Sequence, residues 1–138
     1  MHIHIIVGMK WIRRYKYSVL VALAIIILST IPIPEVKPLE AVPLIDKWVH
    51  FVMYASMSIA MWIDQRNCHQ PLLLSFYLWM LILPSCLGGI MELVQAYLTT
   101  CRSGEWLDVI ADVIGAVIGT AGCFIISLIW NRKTSAQK

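Results

Sequence analysis

A chain of 138 residues is long enough for one domain. Its hydrophobic share of 59%, charged share of 14% and mean hydropathy of +0.75 depart from soluble globular composition, and they do so toward membrane protein. The net charge of +3 comes from basic residues gathered at the two ends rather than along a face, which argues against a nucleic-acid surface.

In chain order, the first apolar run is Tyr17 to Pro34, uncharged and near the lower length limit for a spanning helix. It follows Lys10, Arg13, Arg14 and Lys16, as a signal peptide would. It is long for such a segment, however, and ends in "STIPIP" rather than a small-x-small cleavage pattern. The expectation is a retained helix, stopped by Pro32 and Pro34. A charged, proline-containing loop follows. The second span is expected over 44–63, the third over 71–98 with Pro71 in its first turn, and the fourth over 107–130.

The fold class is therefore all-α: one membrane domain over 1–138, polytopic, with four transmembrane helices. With the N-terminus inside, the cytoplasmic side receives Lys10, Arg13, Arg14, Lys16, Arg66, Arg132, Lys133 and Lys138. The outer side receives Lys37, Lys47 and Arg102, and this bias places both termini in the cytoplasm. Cys68, Cys86, Cys101 and Cys123 form no CxxC pair, which argues against a disulfide framework.

Polar residues fall into helical stripes. Asp46, His50 and Tyr54 recur every four residues on the second span, and Met57 and Met61 continue the line as filling. Gly88, Glu92, Gln95 and Thr99 share a face of the third, and Asp108, Asp112, Gly115, Gly119 and Gly122 a face of the fourth. At ~1.5 Å rise per residue, Glu92 lies roughly 9 Å inside Leu98 and Asp112 ~6 Å inside Asp108, so the stripes can meet just below the outer interface.

Each residue also has a plain reading. Asp46 and Asp108 suit helix N-termini, and Lys47 can snorkel to the interface. Arg102 can pair with Glu105 or Asp108, Gln95 can bridge helices, and Gly115 and Gly119 allow close helix packing. Glu92 and Asp112 differ because they lie inside the membrane, where carboxylates mark functional sites by default. His50, Glu92 and Asp112 are the candidate acid/base residues. Asp46, Lys47, Tyr54, Gln95, Arg102 and Asp108 are the candidate binding residues, with Arg102 and Lys47 suited to an anionic head group. No nucleophile is evident and no H-E-x-x-H signature occurs. No cofactor and no metal is expected, a divalent cation on the carboxylates being the weaker alternative.

These residues resemble the VanZ-like family. "DKWVHFVMY" is similar to its D-K-x-x-H-F-x-x-Y opening, "ELVQ" to its E-x-x-Q element, and Arg102 to Asp108 to its R-x5-D spacing. "DVIADVIGAVIG" resembles its D-x3-N-x2-G-x3-G ending, with Asp112 where the family usually has asparagine. The resemblance runs from Asp46 to Gly119, within a core of about 44–130. It implies a small multi-pass protein of the bacterial inner (cytoplasmic) membrane, its site on the extracytoplasmic side. The family is named for resistance to the glycopeptide teicoplanin, and its name supplies no reaction. The expected partners are the lipid bilayer and an envelope or lipid-linked precursor, not nucleic acid. The competing class is a non-enzymatic scaffold or homo-oligomer whose polar stripes serve helix packing. A third, ion or proton transport, lacks the repeated broken helices of known transporters.

Overall fold

The structure, a computed structural model, describes residues 13–31, 44–69, 71–98 and 105–135. Among these it is all-helical: α1 (Lys16–Thr30), α2 (Ile45–Asn67), α3 (Leu74–Leu98) and α4 (Trp106–Ser135). Contacts fix an up-down-up-down bundle. Ser18 at the start of α1 meets Asp64 near the end of α2, while Ser29 at the end of α1 meets Gln95 near the end of α3. His50 and Asp112 pair the second turns of α2 and α4, and Trp62 and Ser127 pair their later turns. The helix α2 touches the other three and packs most extensively along α4.

Helix limits differ from the expected spans for local reasons. The helix α1 stops at Thr30, and Ile31 is already extended at φ −79°, ψ 134°. Ile31 precedes Pro32, and a proline disfavours helical backbone in the residue before it. The expected end at Pro34 lies outside the described residues. The helix α2 runs past Ile63 to Asn67. Pro71 is not in the first turn of α3, which begins at Leu74. Its carbonyl instead accepts from Gln65 Nε2 at 3.3 Å, holding the α2–α3 corner. At its other end α4 continues to Ser135, beyond Trp130.

Two helices, α3 and the Trp106–Arg132 portion of α4, are long and apolar enough to cross a membrane. The helix α1 is apolar but has only 15 residues, and α2 carries Asp46, Lys47, Asp64 and Arg66.

The burial pattern is inside-out relative to a soluble bundle. His50, Ser58, Asp64, Glu92, Gln95, Asp108, Asp112 and Ser127 are buried, whereas large apolar side chains such as Leu78, Trp79, Ile82, Ile118 and Ile125 face outward. The apolar core is Ile25, Tyr54, Met57, Met61, Tyr77, Met80, Met91 and Cys123, so the methionine line of α2 is core filling.

Three features hold the helices together. Gly115 and Gly119 bring α4 onto the α2 backbone. A Cβ at Gly115 would collide with the Phe51 carbonyl oxygen, and one at Gly119 would come within 2.7 Å of that of Ala55. Close approach of this kind needs small residues at the seam. Second, Pro84 lies inside α3 and has no N–H for the Met80 carbonyl four residues back. Ser58 Oγ of α2 donates to that carbonyl at 3.0 Å and replaces the missing bond. Third, Tyr15 at the N-cap of α1 makes no side-chain cap bond. Asp64 supplies one from α2. Its Oδ1 accepts from Tyr17 N at 3.3 Å, and its Oδ2 accepts from Ser18 N at 2.8 Å and Ser18 Oγ at 2.7 Å. A carboxylate there satisfies first-turn donors and complements the helix dipole.

Candidate functional site

The polar stripes of α2, α3 and α4 meet at the end of the bundle formed by the starts of α2 and α4 and the end of α3. Two layers can be distinguished. In the outer layer, Lys47 Nζ lies 2.6 Å from both Glu105 Oε2 and Asp108 Oδ1 and 3.5 Å from Asp46 Oδ2. Three carboxylates on one ammonium leave it committed within the protein. The role expected of Lys47, holding an anionic head group, would require breaking these pairs.

One turn deeper lies the inner layer. His50 Nδ1 is 2.9 Å from Asp112 Oδ1 and 3.8 Å from Glu92 Oε1. His50 is 2% exposed, Glu92 6% and Asp112 0%, so water does not solvate them freely. Their placement follows from local chemistry. Asp112 fits because Gly88 faces it, and a Cβ at Gly88 would collide with Asp112 Oδ2. Glu92 is anchored through its other oxygen, which accepts from Glu105 N at 2.9 Å at the start of α4. That places a carboxylate where the helix dipole favours it. Tyr54, a turn below His50, stacks on the imidazole with ring centroids 6.5 Å apart.

Of seven buried side-chain atoms without a hydrogen-bond partner among the described residues, Glu92 Oε1, Asp112 Oδ2 and Tyr54 Oη belong to this layer, and Asp108 Oδ1, 2.6 Å from Lys47 Nζ, belongs to the outer one. Burying an unpaired polar atom costs about 1–3 kcal/mol, and more for a charged group.

A groove of about 580 Å³ runs between α3 and α4 beside this cluster. Its walls include Cys86, Ile90, Leu93, Tyr97 and Trp106, and Glu92 and Glu105 form its polar edge. An apolar chain lying in it would bring its polar end against those two carboxylates.

The expected residues thus separate into groups. The structure brings together His50, Glu92, Asp112 and Tyr54 in the inner layer, with Asp46, Lys47 and Asp108 in the outer one. Gln95 Nε2 donates to the Ser29 carbonyl at 3.0 Å and ties α3 to α1. Arg102 lies outside the described residues. Glu105 was missed as a site residue, although it pairs with Lys47 and its N–H caps Glu92. Its position just before the first turn of α4, three residues from Asp108, was the available signal.

Two chemistries are open to such an arrangement. The His50–Asp112 dyad can hold and pass a proton, since Asp112 orients the ring and stabilises its cationic form. Alternatively, the carboxylates can attract a cation, because the described cluster is strongly acidic. His50 Nδ1 faces carboxylates on both sides rather than a serine, threonine or cysteine. No family model, curated protein or solved structure matches the chain.

Proposed function

We propose that the chain is a VanZ-like multi-pass protein of the bacterial inner membrane. In this reading all four helices span, both termini are cytoplasmic, and the His50–Glu92–Asp112 end lies under the outer interface. There it binds or acts on an envelope or lipid-linked precursor and so supports teicoplanin resistance. The carrying observation is the burial of these three residues beside an apolar groove whose polar edge includes Glu92. The apolar exterior and polar interior suit a lipid environment, where buried polar groups face the bundle. The groove supplies a path for a lipid chain, and the cluster supplies proton-transfer or charge-recognition groups at its end.

The packing-only alternative rests on Gly115 and Gly119. Both are taken up inside the chain, against Phe51 and Ala55, which leaves that face closed to an outside partner. It predicts that Glu92→Gln is tolerated while Gly115→Leu is damaging.

The test is teicoplanin susceptibility in a sensitive bacterial host carrying vector, wild type or Glu92→Gln at matched membrane levels. Protection by wild type that disappears in the variant is the expected result. Equal protection by both would favour packing, and no protection by wild type would remove the resistance function.

A further inference from the structure

The inner layer poses a problem of shared acceptors. Asp112 Oδ1 is an acceptor, and so is His50 Nδ1 whenever it carries no proton. At 2.9 Å the two need either a proton or a cation between them. One proton satisfies that pair alone. It leaves Glu92 Oε1, 3.8 Å from the same nitrogen, and Asp112 Oδ2 without donors among the described residues. A cation placed among the three side chains would neutralise both carboxylates at once.

Other features agree. One ligand atom from each of His50, Glu92 and Asp112 can be chosen with all three within 4.8 Å of one another, and all three residues are buried. Metal bonds of about 2.0–2.2 Å separate neighbouring ligands by roughly 3–3.6 Å, a range that the two His50 distances bracket. Gly88 keeps open the space that the Asp112 carboxylate fills. A second grouping, Asp46, His50 and Asp108, has comparable spacing. Lys47 already lies 2.6 Å from Asp108 and 3.5 Å from Asp46, so its positive charge opposes a cation there. The inner set has no such competitor among the described residues.

We infer that His50, Glu92 and Asp112 bind one divalent metal ion of the Zn²⁺ or Mn²⁺ class, through His50 Nδ1 and one oxygen from each carboxylate. One imidazole and two carboxylates form a mixed nitrogen–oxygen donor set, which suits these ions better than a thiolate-seeking one. The inference deepens the proposed site and rests on reading this cluster as functional. Binding displaces the proton shared by His50 and Asp112, so affinity falls as pH falls.

The full chain, purified in detergent and stripped with a chelator, would be titrated with Zn²⁺ and separately with Mn²⁺ against a fluorescent competitor. One equivalent per chain is expected. Affinity should weaken roughly 100-fold or more in His50→Ala and Glu92→Gln, beyond the 10–100-fold typical of losing an outer-shell partner. Ser127→Ala, at the opposite end of the bundle, should leave it unchanged. X-ray absorption of the loaded wild type should show a mixed nitrogen and oxygen shell without sulfur, a result independent of whether any variant folds. Wild-type binding no tighter than that of His50→Ala, or a shell containing sulfur, would overturn the inference. Teicoplanin protection that needs Glu92 in a protein that binds neither ion would overturn the metal and leave the site reading standing. Stoichiometric binding without Glu92-dependent protection would do the reverse.

Discussion

Asp64 and Asp112 are both buried aspartates on helices of one bundle, at 1% and 0% exposure, yet their surroundings are opposite. Asp64 receives three donors from the first turn of α1, so each of its oxygens is satisfied. Asp112 shares one oxygen with His50 and keeps the other without a partner among the described residues, as Glu92 does with Oε1. Burial alone therefore does not identify a site in this protein. What separates the two aspartates is whether the protein itself supplies partners. Both oxygens of Asp64 are satisfied from α1, whereas Asp112 Oδ2 has no hydrogen-bond partner among the described residues.

Stability measurements in detergent test this contrast directly. Asp64→Ala should have the largest effect, a loss of about 2–4 kcal/mol, because hydrogen bonds to a charged group contribute about 1.5–3 kcal/mol each and are partly replaced by water. Thermal unfolding of the purified variant checks it, and an unchanged midpoint would mean that Asp64 is no more structural than Asp112. Ser58→Ala comes next at about 1–1.5 kcal/mol, near the upper end for interhelical bonds in membranes. Denaturant titration of Ser58→Ala beside wild type would show it. Ser127→Ala removes the oxygen that accepts from Trp62 Nε1 at 2.9 Å and should cost only ~0.6 kcal/mol, the average for such bonds.

The smallest shifts are expected at the other end. Glu92→Gln keeps an acceptor for Glu105 N and loses only a 3.8 Å contact with His50, so the relieved burial of a charge offsets the lost attraction and unfolding should move by about 0.5 kcal/mol or less, the low end for a net hydrogen bond. A loss as large as that of Asp64→Ala would erase the distinction. An unchanged midpoint together with abolished teicoplanin protection would sharpen it most.

The sequence exposed the two ends unequally. Helical periodicity put His50, Glu92 and Asp112 on inward faces at matching depth, and the structure brings them within ion-pair distance through His50. Depth can be read because it is counted along a single helix from its interface. The Asp64 cap cannot be read in that way. Its partners lie 46 and 47 positions away, and the rotation of α1 about its axis, which sequence does not reveal, decides whether they meet. Gln95 could be read as a residue that bridges helices, but not which helix it reaches, and one of its bonds goes to α1.

The bond between Ser58 and the Met80 carbonyl, left without its usual donor by Pro84, has a consequence for how this chain can change over generations. Replacing Pro84 first restores a backbone donor and makes the hydroxyl dispensable. Replacing Ser58 first strands a carbonyl deep in the bundle. The two substitutions lead to the same end point, but only one order avoids a weakened intermediate. A proline inside a helix thereby makes the history of a residue on its neighbour directional.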